Sequence, residues 1–230
     1  MAGTHVERHM NAPEMIRDIV IGMADGLTVP FALAAGIAGS VPTPILIVTA
    51  GFAEIAAGSI AMGLGGYLAV RTDHEHSESE LALERKEIRE VPDRERAEVA
   101  EIFQRWGLDD HVVQSATDTI CSDDERWAQF MMTYELGLAE PKPSRARNSS
   151  LTIAISYIVG GFVPLTPYIL IPSPATALLY SAIVTLAALF VFGFIKGKFT
   201  GTSPWKSAAQ TTMVGGVAAG VAYMAARWLA

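Results

Sequence analysis

Apolar residues dominate five long stretches of the chain, and charged residues fill one long segment between the second and the third. Each stretch is long enough to cross the hydrocarbon core of a bilayer, which takes about 20 helical residues. The five stretches are Ile16–Ser40, Ile45–Val70, Leu151–Ile171, Ala175–Ile195 and Ala208–Leu229. Five such segments within 230 residues leave too little polar surface for a soluble fold. The pattern therefore predicts an all-α integral membrane protein with five transmembrane helices.

The connections between these stretches contain helix-breaking residues. Val41-Pro-Thr-Pro44 joins the first stretch to the second, and Pro172-Ser-Pro174 joins the third to the fourth. Proline cannot continue a helix, so both segments are predicted to be short turns. Ser203 followed by Pro204, after a basic loop, is a typical helix start and opens the fifth stretch.

The charged segment between the second and third stretches has the pattern of a soluble helical insert. Pro92 interrupts the pattern and is expected to start a second helix, which ends at Gly107. Ser122-Asp-Asp-Glu125 has capping-box spacing and predicts a third helix that extends to about Leu138. We therefore expect a three-helix insert and four regions along the chain. These are a tail over 1–15, spans one and two over 16–72, the insert over 73–147, and spans three to five over 148–230.

Basic residues are distributed asymmetrically across the predicted membrane. With five spans, the tail, the insert, the flanking Arg17 and Arg71 and the 196–206 loop share one side and hold 16 of the 17 Lys and Arg residues, leaving Arg227 on the other. Short loops rich in Lys and Arg stay cytoplasmic. We expect a cytosolic N-terminus and insert, with the C-terminus on the luminal side. All 24 acidic residues lie at or before Glu140, so the net charge of −7 describes one segment of the molecule.

Two carboxylates lie deep in the apolar stretches: Asp25 in the first span and Glu54 in the second. Asp18 lies nearer the cytosolic end, seven residues before Asp25 and on the same helix face. An unpaired carboxylate inside a bilayer costs several kcal/mol, so it must pair, take up a proton or face water. No Lys, Arg or His lies deep in these two spans, which leaves protons and cations as partners. The structural alternative is a hydrogen bond to a neighbouring helix.

A thioether lies on the same helix face as Glu54. Glu54, Gly58 and Met62 follow one another at intervals of one turn. The glycine opens space, and adding sulfur to carboxylate oxygen shifts preference towards softer first-row metals. The alternative for Met62 is ordinary packing. One protomer supplies few ligands, so we expect a two-fold axis that doubles Asp25, Glu54 and Met62.

The insert contains acidic pairs at helical spacing together with methionines on its third helix. Carboxylates one turn apart repel each other, and a bound cation relieves that repulsion. A solvated acidic face is the alternative explanation. The candidate metal ligands of the insert are Glu84, Glu87, Glu95, Glu98, Met131, Met132 and Glu135.

The first span carries a motif that resembles the signature of the vacuolar iron transporter family. The motif is Asp25-Gly-Leu-Thr-Val-Pro-Phe-Ala-Leu-Ala-Ala-Gly36, and the run Glu54-Ile-Ala-Ala-Gly-Ser-Ile-Ala-Met62-Gly in the second span supports it. Five spans with a helical insert after the second also fit. The Glu-rich insert is most similar to that of plant members.

The resemblance implies a secondary transporter, and not an enzyme, in the vacuolar membrane. It implies a homodimer that moves ferrous iron from the cytosol into the vacuole in exchange for protons. It implies that Asp25, Glu54 and Met62 line the translocation path, to which we add Asp18, and that the insert candidates collect metal. We expect no cofactor beyond transported Fe²⁺, with Mn²⁺, Co²⁺ and Zn²⁺ as further ions for the insert. The expected partners are the metal ion, protons, the bilayer and a second copy of the chain, with no nucleic acid.

Three alternatives remain open. A manganese or broad divalent-metal transporter would have the same fold. A membrane di-iron oxidase would need Glu-x-x-His motifs on facing helices, and the carboxylate helices contain Glu-x-x-Glu instead. A metal-sensing membrane protein would not need acids deep in two spans.

Overall fold

The computed structural model describes residues 12–40, 43–138 and 144–229. Within these ranges the chain is entirely helical apart from short connections, so the all-α prediction is confirmed there. The predicted tail lies mostly outside the described residues, as do two residues of the first predicted turn. The helices are α1 (Ala12–Ser40), α2 (Pro44–Glu90), α3 (Pro92–Arg105), α4 (Asp110–Cys121), α5 (Asp124–Tyr134), α6 (Arg145–Leu170), α7 (Pro174–Phe199) and α8 (Pro204–Leu229).

Four helices in the described part of the chain are long and apolar enough to cross a membrane. They are α1, α2, α6 and α7. The remaining long helix, α8, has 26 residues, but its most apolar stretch does not reach the hydropathy of the corresponding stretches in these four. Lys206, Gln210 and two threonines in its first half lower its mean hydropathy. Its length still exceeds the roughly 20 residues that a hydrocarbon core requires.

The first compact unit contains the residues up to Tyr67 and those from Ala146 onward. Glycines let α1 and α6 approach closely. A Cβ added at Gly22 or Gly26 would collide with the α6 backbone, and one added at Gly160 would lie 3.0 Å from the Gly26 carbonyl carbon. Gly22 and Gly26 therefore form a close contact between the two helices, and Ile153 and Tyr157 of α6 form its other side.

The second compact unit spans Leu68–Arg145. Its helices surround one apolar core. The buried members of that core are Ile88, Val99, Ile102, Phe103, Val113, Trp127, Ala128, Phe130 and Met131.

Three details of the insert differ from the sequence prediction. Its first helix is the continuation of α2, which runs unbroken to Glu90 because no Pro or Gly occurs between Val70 and that residue. A separate helix, α4, was not predicted. The N-cap of α5 is Asp123, whose Oδ1 accepts a hydrogen bond from the Arg126 amide at 2.8 Å, so this helix is shorter at both ends than the predicted one.

Candidate metal sites

A group of three carboxylates lies where α2 meets α3. Glu84 and Glu87 are one turn apart near the end of α2, and Glu95 is in the first turn of α3. Pro92 at the start of α3 ends the preceding helix and lets the chain reverse. One carboxylate oxygen from each residue lies within 4.8 Å of the others. Acidic residues that are separate in sequence therefore form one group that can ligate a cation.

Two of these carboxylates are buried in the insert. Glu84 is 5% exposed and Glu95 is 1% exposed. Burial raises the pKa of each to about 7, and repulsion from the surrounding carboxylates adds to the shift. One oxygen of Glu84, Oε2, is buried and has no hydrogen-bond partner in the described part of the chain. Near neutral pH, protons and metal ions therefore compete for this group.

Glu98 and Glu135 extend the acidic group. Both lie close enough to Glu84 to raise its pKa by electrostatic repulsion. The Glu135 side chain follows the last turn of α5, and its own pKa is raised by burial and by Glu98 and Glu87. Arg94 donates a hydrogen bond to Glu98 Oε1 at 3.1 Å, which neutralises part of the charge. The structure thus brings together all five predicted insert carboxylates within electrostatic range.

The two predicted methionine ligands lie on α5. Met131 is fully buried and belongs to the apolar core of the insert, together with Ile88 and Val99. Met132 is 8% exposed and lies outside that core cluster. Packing in this core accounts for the position of Met131, whereas Met132 is buried outside this cluster.

Two ion pairs tie the helices of the insert to one another. Arg85 of α2 donates hydrogen bonds of 2.8 and 2.7 Å to the two carboxylate oxygens of Glu125 at the start of α5. Arg96 of α3 pairs with Asp118 of α4. A two-pronged arginine–carboxylate pair fixes orientation as well as distance. These contacts hold the helices that present the acidic group.

In the other unit, Glu54 of α2 is paired with a tyrosine of α6. The Tyr157 hydroxyl donates a hydrogen bond to Glu54 Oε1. Tyr157 is 2% exposed, and its ring fills the space beside Gly58, where an added Cβ would collide with it. The space predicted at Gly58 therefore exists, but the tyrosine ring occupies it.

The partner of Glu54 was missed from the sequence. Tyr157 lies 103 residues further along the chain, and nothing local links the two positions. The available signal was a tyrosine in the middle of an apolar span, because a buried tyrosine hydroxyl usually needs a hydrogen-bond partner. The second carboxylate oxygen, Glu54 Oε2, is buried and has no hydrogen-bond partner among the described residues. One oxygen of Glu54 is therefore held by Tyr157, and the other has no partner in the described residues.

The remaining predicted path residues lie on α1 and α2. Asp25 is partly buried and lies within electrostatic range of Tyr157. Asp18 is 1% exposed, and its Oδ1 lies 4.0 Å from Arg17 Nε. Met62 is partly buried, two turns after Glu54. Within the described residues, the membrane-spanning helices hold no group of three His, Cys, Asp or Glu ligands comparable to that of the insert.

Comparison with known proteins identifies close relatives over nearly the whole chain. The model of the VIT family matches residues 16–227. Vacuolar iron transporter 1 of Arabidopsis thaliana is 48% identical over 223 residues, which cover 97% of this chain and 89% of that protein. Vacuolar iron transporter 1 of Tulipa gesneriana is 49% identical, with coverage of 97% and 90%. Protein CCC1 of Saccharomyces cerevisiae is 36% identical, with coverage of 92% and 68%.

Proposed function

Because the chain belongs to the VIT family, we propose that it moves ferrous iron from the cytosol into the vacuole in exchange for protons. The observation that carries this proposal is the acidic group of Glu84, Glu87 and Glu95, two of which are buried, in a chain related over nearly its full length to vacuolar iron transporters. The protein is a transporter and not an enzyme. Its vacuolar location is taken from the same relatives.

We propose five spans, with α8 as the fifth. Its 26 residues suffice to cross the bilayer. The tail and the insert are cytosolic and the C-terminus is luminal, as the distribution of Lys and Arg indicates. This topology places the acidic group of the insert on the side from which iron is taken.

The insert captures metal through oxygen ligands and sulfur. The proposed ligands are Glu84, Glu87, Glu95, Glu98, Met131, Met132 and Glu135. Carboxylates that repel each other in the free protein gain most from a divalent cation, and thioether sulfur favours softer ions over Mg²⁺ and Ca²⁺. The free oxygen of Glu84 supports this role.

The translocation path uses Asp18, Asp25, Glu54 and Met62. The hydrogen bond from Tyr157 supports an oriented Glu54 with one oxygen directed to the ion. A single protomer offers fewer ligands here than a first-row metal prefers, so we propose a homodimer in which both copies contribute. Few ligands also mean weaker binding, which suits an ion that must leave again.

Proton exchange follows from competition for the same carboxylates. Metal binding requires deprotonated ligands and therefore releases protons. On the acidic luminal side, protons displace the metal from Glu54 and Asp25, and their return to the cytosol completes the cycle. The vacuolar proton gradient then drives iron accumulation.

Reconstituted protein in liposomes tests this function. With an acidic interior and a reductant outside, Fe²⁺ uptake should exceed uptake without a pH difference, and the interior pH should rise as iron enters. A proton ionophore should remove the excess. Uptake indifferent to the gradient would rule out proton exchange while leaving iron transport in place. A parallel series with Mn²⁺, Co²⁺ and Zn²⁺ distinguishes an iron transporter from a manganese or broad divalent-metal transporter.

A further inference from the structure

The hairpin between α7 and α8 concentrates positive charge at one end of two apolar helices. Lys196 and Lys198 lie in the last turn of α7, and Lys206 lies in the first turn of α8. Backbone contacts hold the two ends together, because a Cβ added at Gly197 would lie 2.8 Å from Pro204 Cα. The three lysines therefore share one small region, which we call the basic hairpin.

The lysines of the basic hairpin have no acidic partners in the described part of the chain. Lys196 Nζ donates a hydrogen bond to Thr211 Oγ1 at 3.2 Å, and Lys198 Nζ lies 5.3 Å from the centre of the Phe194 ring. No ion pair involves any of the three among the described residues. From residue 141 onward the sequence has no Asp or Glu at all. An acidic neighbour on α6, α7 or α8 is therefore impossible.

A tryptophan in the basic hairpin marks the depth of a membrane interface. Trp205 is 68% exposed, and its ring lies 5.1 Å from that of Phe194 and 6.1 Å from that of Phe190. Exposed tryptophans on membrane helices occupy the headgroup region, where the ring is amphipathic and the N–H finds water or a lipid oxygen. Lysines beside such a ring are placed at the level of lipid phosphates.

We propose that the basic hairpin binds the headgroup of an anionic phospholipid. The ligand chemistry is a phosphodiester headgroup of net negative charge held in the bilayer, which is contacted by the lysine ammonium groups and lacks the neutralising choline cation of phosphatidylcholine. The first amides of α8 add partial positive charge, since its first hydrogen bond to the preceding turn is donated by Ser207. The acyl chains of the lipid lie along the aromatic surface formed by Phe190, Phe194 and Trp205. This inference rests on the proposed membrane topology of α7 and α8 but not on iron transport.

Quenching of tryptophan fluorescence by brominated lipids tests the site in the full-length protein. The protein is reconstituted into two sets of nanodiscs, which contain the same low fraction of brominated phosphatidylserine or of brominated phosphatidylcholine. The fluorescence of Trp205 is obtained as the difference between the unaltered protein and Trp205→Phe. Phosphatidylserine should quench Trp205 about fivefold more effectively, the preference expected from about one lysine–headgroup contact. Lys198→Gln with Lys206→Gln should bring the ratio to about one. Lys86→Gln, which removes an exposed lysine of the insert, should not change it.

Each outcome of this experiment decides a different point. A ratio near one in the unaltered protein, or a ratio unchanged in the double variant, overturns the lipid site and leaves the transport proposal standing. Absence of Trp205 quenching by both lipids would instead overturn the topology. Excess inorganic phosphate, compared with chloride at the same ionic strength, should leave the quenching ratio unchanged. If phosphate instead brings the ratio to one, the site binds free phosphate. Should Trp205→Phe fail to fold, lipid retention by native mass spectrometry gives the same comparison, with anionic lipid lost in the double lysine variant.

Discussion

The insert and the membrane-spanning unit both contain buried acidic residues, but they surround them differently. In the insert, Glu84 and Glu95 are close to three further carboxylates, so negative charge accumulates until a cation or protons neutralise it. In the membrane-spanning unit, Glu54 has a tyrosine hydroxyl as its neighbour and one unpartnered oxygen. Under the proposed function, the first arrangement suits capture of an ion, and the second suits brief contact and release.

The difference follows from what each solvent tolerates. Water screens the insert, so several carboxylates can stand together at the cost of raised pKa values. Hydrocarbon penalises each charge by several kcal/mol, so few acids are tolerated there and each must pair, take up a proton or face water. Removing an acid from the spans should therefore stop ion movement, whereas removing acids from the insert should reduce the affinity with which ions are collected.

The largest effect is expected for Glu54→Gln. The amide keeps the volume and can still accept the hydrogen bond from Tyr157, but it removes the charge that meets the ion. We expect Fe²⁺ flux into acid-loaded liposomes to fall at least about a hundredfold, to the level of protein-free liposomes. Metal binding to the insert should be unchanged.

Glu78→Gln is the matched control for Glu54→Gln. Glu78 lies on the same helix but is exposed within the insert and outside the acidic group. Flux in this variant should equal that of the unaltered protein. Full activity of Glu54→Gln would remove Glu54 from the path and, with it, the contrast between the two regions.

The double variant Glu84→Gln and Glu95→Gln tests the insert separately. Loss of two charges should weaken Co²⁺ binding about thirtyfold, measured by calorimetry, and raise the KM for Fe²⁺ uptake by a similar factor. The maximal rate at saturating iron should change little, because the path in the membrane is intact. Glu75→Gln with Glu78→Gln removes the same charge from exposed positions of α2 and should alter neither value. A collapse of the maximal rate with KM unchanged would contradict a collecting role.

Metal binding to the insert should depend on pH around neutrality. The pKa values of Glu84 and Glu95 are raised to about 7, so the metal must displace protons at pH 6 but not at pH 8. We expect Co²⁺ affinity to rise about tenfold over this interval for each of the two protons displaced, and the double variant to lose most of that dependence. The stability of the metal-free protein should show the opposite pH dependence from metal affinity. Between the ordinary carboxyl value and 7 the folded state binds more protons than the unfolded chain, so the melting temperature should fall as pH rises. An affinity that is flat from pH 6 to 8 would contradict the shift.

The sequence predicts the helices of the fold better than the contacts between them. Apolar length predicts α1, α2, α6 and α7 because each span is a local property of its own residues. Helical spacing predicts that Glu84 and Glu87 share a face, and Pro92 predicts the turn that brings in Glu95. The contact between Glu54 and Tyr157 depends on how α2 packs against α6, which no local pattern records. The continuation of α2 to Glu90 is predictable from the sequence, since no Pro or Gly lies between Val70 and Glu90. The change from apolar to charged residues after Val70, however, suggests a boundary at that point.

A smaller effect is expected for Tyr157→Phe. The ring still fills the space beside Gly58, but Glu54 Oε1 loses its donor. An unsatisfied buried oxygen costs about 1 to 3 kcal/mol, and a less well oriented carboxylate should lower flux about fivefold. Tyr180→Phe removes a hydroxyl from an exposed tyrosine of α7 and serves as the control. Flux equal to that of the unaltered protein would make Tyr157 a packing residue only.

The smallest effect should come from replacing the two methionines of α5. This test distinguishes a metal-binding role of their sulfur from a packing role. Leucine keeps their apolar volume, so Met131→Leu and Met132→Leu should each change the free energy of unfolding by less than about 1.5 kcal/mol. If sulfur contacts the metal, the ratio of Co²⁺ to Mn²⁺ affinity should fall about threefold, since Mn²⁺ prefers oxygen. Met132 should account for most of the fall, because Met131 is fully enclosed by the apolar core. Met213→Leu with Met224→Leu, on exposed positions of α8, should leave the ratio unchanged. An unchanged ratio in both insert variants would mean that the metal is held by carboxylates alone, and the two regions would then differ in charge and number but not in ligand chemistry.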